Sequence, residues 1–299
     1  MGIVIEQVAL LMLFIVAGYL MSKTKLVDAR NAGLLSRLEI YLFIPATVFN
    51  TFSTNFSRSY LQEKYPLVLV SALVLISIAL LSRPIAGLLA RSPYQKNVYS
   101  YSLTIPNYGY VGYALASGIF GSEMLLNVMM VALPVSIYTY TIGYCTLTKT
   151  RFSLKKLLNP VTMALVLGAA VGVSGIQLPT VASTFLTKAA ACMAPVSMVL
   201  TGIVISEYRL SDMVKSVPVY IVSFLRLLAI PCTVGFVLKG LRLDHLVLPI
   251  LMVTAMPCGM NTIVFPKLVG EDCRTGASLT FITSILCCFT IPLCLYLFS

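Results

Sequence analysis

The chain has 299 residues, 59% hydrophobic and only 10% charged, with a mean hydropathy of +0.94 and a formal net charge of +11. Soluble domains carry about 25% charged residues, so an ordinary soluble protein is excluded and a polytopic membrane protein is indicated. The positive charge does not point to nucleic acid, because the basic residues are scattered over short connections, the pattern of cytoplasmic loops.

Ten spans are predicted, at about 3–22, 33–52, 66–90, 97–120, 124–146, 159–177, 181–206, 216–239, 246–269 and 276–298. A crossing helix needs about 20 residues. Met1–Glu6 has no basic start, so no cleavable leader is expected. The first span carries Glu6 near its outer end. The second carries Glu39 within about two turns of its cytoplasmic end, then Pro45 followed by Thr47, Asn50 and Thr51. Ionisable groups in hydrocarbon are rare and usually functional, so Glu39 is a candidate for coupling or charge balance, against simple snorkelling to water. Thr47, Asn50 and Thr51 are of the kind that commonly hydrogen-bond between helices.

The fourth span reads "TIPNYGYVGYALASGIFG" from Thr104 to Gly121. Pro106 cannot donate to the Ser102 carbonyl, and Gly109 and Gly112 loosen the next turn. The ninth, "TAMPCGMNTIVFPKLVG", repeats the design: Pro257 is expected to orphan the Val253 carbonyl, with Cys258, Gly259 and Asn261 following. Such interruptions are tolerated only where backbone is buried in protein or lines a wet cavity. Past each proline a half-helix starts, with free amides and a positive dipole end. Two such ends facing each other would cradle an anion, with Asn107 and Asn261 adding carboxamide donors; the alternative is a pair of kinked packing helices whose buried asparagines bond the freed carbonyls. Tyr108 flanks the first break, and Tyr138 in the fifth span reads as ordinary aromatic packing on the residues alone.

The sixth span holds Gly168 and Gly172, a GxxxG that either packs inside the chain or forms a dimer seam. Arg226 lies deep in the eighth span, to balance an anion's path or to bond freed carbonyls. The eight cysteines form no CxxC and there is a single histidine, so cysteines are read as packing residues and neither metal nor cofactor is expected.

The two halves correspond. Pro45 and Pro195 are 150 residues apart, Pro84 and Pro231 147, Pro106 and Pro257 151, and Pro134 and Pro292 158. A common offset near half the length indicates an internal repeat. Five spans per half make the second copy enter upside down, an inverted repeat of the secondary-transporter kind. The halves are taken as 1–150 and 151–299. Odd-numbered connections hold thirteen of the 21 Lys and Arg and even-numbered ones four, which predicts both termini outside and the 146–158 loop in the cytoplasm.

Five stretches in order then carry a family resemblance. "IPNYGYVGYAL" resembles the fourth-span signature of the auxin efflux carrier family at Pro106, Asn107, Gly109 and Gly112, with Ala114 in place of the family's proline. "MPCGMNTIVFPKLVG" resembles its ninth at Pro257, Asn261, Lys267 and Gly270, with Leu268 and Val269 replacing an acidic and aromatic pair. "RLEIYLFIPATVFNTF", "LLNPVTMALVLGAAVGVSGIQLP" and "FLRLLAIPCTVGFVL" resemble the second, sixth and eighth spans.

The resemblance, to a bacterial-type member of the bile-acid, arsenite and riboflavin transporter superfamily, implies an all-α fold of ten helices. The fourth and ninth would be discontinuous and cross at mid-membrane. Spans one, two, six and seven would form a scaffold, also the seat of a homodimer, and three to five with eight to ten a moving domain. It implies an elevator-like carrier of carboxylates or auxin-like acids in a bacterial plasma membrane. Its substrate would meet Pro106, Asn107, Tyr108, Gly109, Pro257, Cys258, Gly259 and Asn261, with Thr47, Asn50, Thr51 and Tyr138 around them. The rivals are a sodium-coupled bile-acid-type symporter and a non-transporting ligand sensor. No enzyme is expected, since the chain has no histidine cluster and no Gly-x-Ser-x-Gly.

Overall fold

A computed structural model describes the backbone of residues 2–28, 32–150 and 159–298. Of the 146–158 loop, residues 151–158 thus lie outside the described residues. The described chain is helical. It opens with α1 (Gly2–Lys23), α2 (Ala32–Asn55) and α3 (Arg58–Leu89). A short α4 (Pro93–Thr104) stops at the first break, and α5 (Tyr108–Thr148) runs on from it. Next come α6 (Pro160–Ser174), α7 (Thr180–Ser206), the one-turn α8 (Leu210–Met213) and α9 (Val217–Gly240). The second break separates α10 (Asp244–Thr254) from α11 (Asn261–Leu268), and α12 (Arg274–Phe298) follows. Seven of these, α1, α2, α3, α5, α7, α9 and α12, are long and apolar enough to cross a membrane.

The helix starts follow local chemistry. Ser57, Ser92 and Asn159 accept the amides of Tyr60, Gln95 and Thr162 at 3.1, 3.1 and 3.0 Å, capping donors that have no intrahelical partner. Pro93 and Pro160 stand in the first turn, where a missing amide costs nothing. The Ser57 cap starts α3 at Arg58, earlier than the predicted 66, because hydropathy marks only the apolar part of a helix whose first two turns are polar. Gly121, at φ 82°, divides α5 into segments 108–120 and 122–148. Only glycine takes that angle without strain, and it sets the expected boundary between the fourth and fifth spans.

Proline also explains two π-helical turns. In α2 the turn Glu39–Phe43 precedes Pro45, and in α9 the turn Leu225–Ala229 precedes Pro231. The amide just before each proline bonds one residue further back than in an α-helix, Ile44 to the Glu39 carbonyl and Ile230 to that of Leu225. Leu227, whose carbonyl Pro231 cannot serve, has the Cys294 thiol 3.6 Å away instead.

Two packing groups result. α1 lies along α7 and α2 along α6, the most extensive pairings, and α2 also packs on α7. These contacts need small residues. A Cβ at Gly18 would strike the Val199 backbone, and one at Gly202 the Ile15 carbonyl. At Gly168 it would sit 2.9 Å from the Phe49 carbonyl oxygen, and at Gly172 2.5 Å from that of Phe52. The GxxxG is thereby occupied by an intrachain contact with α2, which resolves its two alternatives against a dimer seam on that face. The second group gathers α3, α4, α5, α9, α10 and α12 around buried Tyr99, Leu103, Leu115, Leu126, Met129, Ile250 and Leu251. α5 touches α1, α2 and α7, joining the groups.

Gly172→Val should lower the unfolding temperature in detergent, since overpacking costs about 1–3 kcal/mol. Gly33→Ala meets no atom within 4 Å and should leave melting unchanged or slightly raised. Equal melting of both variants would contradict the close α2–α6 contact.

Candidate functional site

The two breaks meet. Pro106 and Cys258 form an isolated antiparallel β-bridge, and the Asn107 amide donates to the Pro257 carbonyl at 2.8 Å. A Cβ on Gly259 would lie 3.6 Å from the Pro106 carbonyl oxygen. The Cys258 amide donates to Thr283 Oγ1 of α12 at 3.0 Å, and its thiol lies 3.9 Å from the Ser102 carbonyl. Pro106, Asn107, Pro257, Cys258 and Gly259 are therefore one cluster, although their two stretches lie about half the chain apart.

On one side of the bridge the helices α4 and α10 end. Carbonyls at a helix C-terminus lack intrahelical donors and carry the negative dipole end. Arg226, in the π-turn of α9, serves both ends: Nη1 donates to the Leu103 carbonyl at 3.1 Å and Nε to the Met256 carbonyl at 3.2 Å. Its side chain is 0% exposed. Of its two expected roles, Arg226 thus takes that of bonding freed carbonyls.

The carbonyls concerned differ from those expected. Val253 accepts the Met256 amide at 3.3 Å, so Pro257 does not orphan it. Residues before a proline are kept out of the α region, so each helix stops at Thr104 or Thr254, before its proline, and frees later carbonyls. Arg226 Nη2 has no partner among the described residues, and Arg226 lines a small cavity with Ser71, Thr104 and Thr254.

On the other side the half-helices begin. The amides of Tyr108, Gly109 and Tyr110, and those of Met260 and Asn261, have no acceptor among the described residues. The first bonds of the new turns run from Val111 and Gly112 to the Asn107 carbonyl, at 3.1 and 3.2 Å, and from Ile263 and Val264 to that of Met260, at 2.8 and 3.0 Å. Asn107 is buried, at 4% exposure, and its carboxamide makes no hydrogen bond among the described residues. Asn261 is half-buried beside Tyr101. A Cβ at Gly109 would find no atom within 4 Å, so the first turn of α5 borders open space. Tyr108 is held, its hydroxyl 2.8 Å from Ser136 Oγ.

The positive ends of two helices are therefore uncovered, while a guanidinium covers the two negative ends. Arg226 and Glu39 are the charged side chains that are buried among the described residues, and Glu39 belongs to α2, outside the elements that form the bridge.

The remaining candidates are less closely tied to the bridge. Thr47 is buried and bonds the Phe43 carbonyl of its own helix at 2.8 Å. The Thr51 carbonyl holds Asn55 at 3.0 Å, and Asn50 is half-buried with a carboxamide free among the described residues. No hydrogen bond among these residues links α2 to the bridge. Tyr138 is half-buried. Glu39 does not snorkel: it is 0% exposed, because it lies on the side of α2 packed against α7 rather than on the outer one. Sequence reasoning missed Thr283, Ser136 and Ser197, single hydroxyl residues in apolar runs with no pattern to mark them.

The chain matches the family model described as "Membrane transport protein" over residues 3–153 and 145–295. It is 26% identical over 303 residues to an uncharacterized transporter of Methanothermobacter thermautotrophicus, covering 96% of each chain. A second uncharacterized transporter, of Methanocaldococcus jannaschii, is 25% identical over 293 residues, covering 93% of this chain and 94% of the relative. Both organisms are archaea, so the bacterial type expected from the motifs is not what these relatives represent.

Arg226→Met should lower the unfolding temperature more than Arg226→Lys does. Methionine leaves two buried carbonyls without donors at about 1–3 kcal/mol each, whereas lysine keeps charge and donors. Equal stability of the methionine variant and wild type would show that these bonds do not hold the crossing.

Proposed function

The chain belongs to the membrane transport protein family, the auxin efflux carriers whose motifs it resembles, and on that premise we propose that it is a secondary transporter of small organic anions, carboxylates or auxin-like acids. The observation that carries the reading is the polarity of the crossing: two helix N-termini with unengaged amides, bridged to each other, while Arg226 occupies the two C-termini. A helix N-terminus favours an anion by about 0.3–1 kcal/mol at a surface and up to ~2 kcal/mol where partly buried. Asn107 adds a buried, unengaged donor at the same end.

In this reading the chain makes ten crossings as a five-plus-five inverted repeat. α4 with the 108–120 segment of α5 is the fourth, and α10 with α11 the ninth. α1, α2, α6 and α7 form the scaffold, which their mutual packing supports, and also the surface of a homodimer. The other helices carry the bridge past that scaffold in an elevator-like movement, exposing the anion on alternate sides. The termini lie outside and the 146–158 loop in the cytoplasm, by its basic residues.

Counterflow of labelled mono- and dicarboxylates and indole acetate into proteoliposomes tests the substrate class; failure of every acid would overturn it. Asn107→Ala should weaken transport about tenfold or more, since a hydrogen bond to a charged group contributes ~1.5–3 kcal/mol, while leaving the melting temperature unchanged. Wild-type transport by that variant would remove Asn107 from the site. A single cysteine placed at 150 in a cysteine-free background should react only with reagent on the cytoplasmic side; labelling from outside would reverse the orientation.

A further inference from the structure

The second buried charge has no counterpart to the work Arg226 does. Glu39 opens the π-turn of α2, is 0% exposed, and neither of its carboxyl oxygens has a hydrogen-bond partner among the described residues. The turn packs against α7. There its polar neighbour is Ser197, also 0% exposed and with an unpartnered hydroxyl. Two orphaned polar groups thus sit together, on two helices of the same packing group.

Among the described residues no cation stands near enough to offset a charge here. α6, which also packs on the turn, has no ionisable residue. The ionisable residues of α7 are Lys188 and Cys192, both exposed and more than a turn away from Ser197. On α2 itself, Arg37 and Tyr41 are exposed, on a different side of the helix from Glu39. The remaining group is Tyr110, half-buried in the first turn of α5 and within range of Glu39, where α5 packs on α7. A bare carboxylate in such surroundings has neither water nor partner and is strongly disfavoured.

A neutral carboxylic acid removes the difficulty with the groups present. Its O–H can donate to Ser197 Oγ, and the serine hydroxyl can donate back, satisfying both orphans. A metal ion fits less well: hard cations take about six oxygens, and the Glu39 carboxylate with Ser197 offers three unpartnered ones.

We propose that Glu39 is a proton-binding site on the α2–α7 face, loaded and unloaded as the first turn of α5 moves past it with the anion. The inference rests on the carrier reading above. Glu39 takes a proton from water on the side to which the face has opened. Buried again, it remains neutral beside Ser197, and it gives the proton up on the opposite side. An ionised Glu39 is reburied only at a cost, so the anion-carrying passage takes one proton across, and the empty return is made with the carboxylate ionised and hydrated at the uncovered face.

Infrared spectra of the full-length protein in liposomes test the site directly. At pH 7 the wild type should show the carbonyl stretch of one protonated carboxylic acid among its ten Asp and Glu. That band should vanish in Glu39→Gln and persist at a shifted position in Glu39→Asp. Its absence from the wild type, or its survival in Glu39→Gln, overturns the proposal. Uptake of malonate and of indole acetate under an imposed pH gradient tests the coupling. Wild-type accumulation should change by up to about tenfold per pH unit for one proton per anion. Glu39→Gln should lose that response, and Glu39→Asp should restore it. A gradient response in Glu39→Gln equal to wild type sinks the coupling. If the wild type moves neither acid while the infrared band is present, the substrate class falls and the proton site stands.

Discussion

The constraint that shapes this molecule is the need to satisfy backbone polar groups where helices are broken in an apolar interior. An unbonded carbonyl or amide there has no water to turn to. The chain answers with three contacts: the bond from the Asn107 amide to the Pro257 carbonyl and the two from Arg226 to the Leu103 and Met256 carbonyls. Pro106 and Pro257 stop α4 and α10 by local sterics, and these bonds satisfy backbone groups that the stops leave free. Much of the second packing group, Leu103, Leu115, Ile250 and Leu251 included, is positioned by that crossing.

The satisfaction is one-sided, and that asymmetry connects structure to function. The C-terminal ends receive an arginine. The first turns at the N-terminal ends have amides with no acceptor among the described residues, and the space beside Gly109 is open. A structure concerned only with stability would cap both. Leaving five amides and a buried carboxamide unengaged among the described residues is a standing cost, which a bound anion can offset by supplying acceptors. Pre-organised donors of this kind are paid for by folding and used by the ligand.

The proline-linked π-turns show the same economy at a smaller scale. In α2 and α9 a proline two residues past the turn shifts the local hydrogen bonds by one residue. Each such turn holds one of the two buried charges, Glu39 in α2 and Arg226 in α9. The rest of the first packing group is simpler: α1, α2, α6 and α7 approach through Gly18, Gly168, Gly172 and Gly202, where backbone meets backbone. Small residues are what allow helices to associate when no water is being excluded.

The sequence by itself determined the helices and their interruptions. Apolar runs of the right length place the spans, Pro106 and Pro257 place the breaks, and proline and glycine act through local sterics that need no partner. Gly121 likewise divides α5 by its own backbone freedom. The ten-crossing repeat with its domains remains a reading of the sequence, since helix positions alone do not establish symmetry. Only the tertiary structure decided which carbonyls are freed, that Leu103 and Met256 share one guanidinium, that Gly168 and Gly172 face α2, and that Glu39 lies buried beside Ser197 instead of reaching water. These are contacts between residues far apart in the chain. No local periodicity encodes them, because a single serine, threonine or carboxylate gives the same signal whether its partner is lipid, water or another helix.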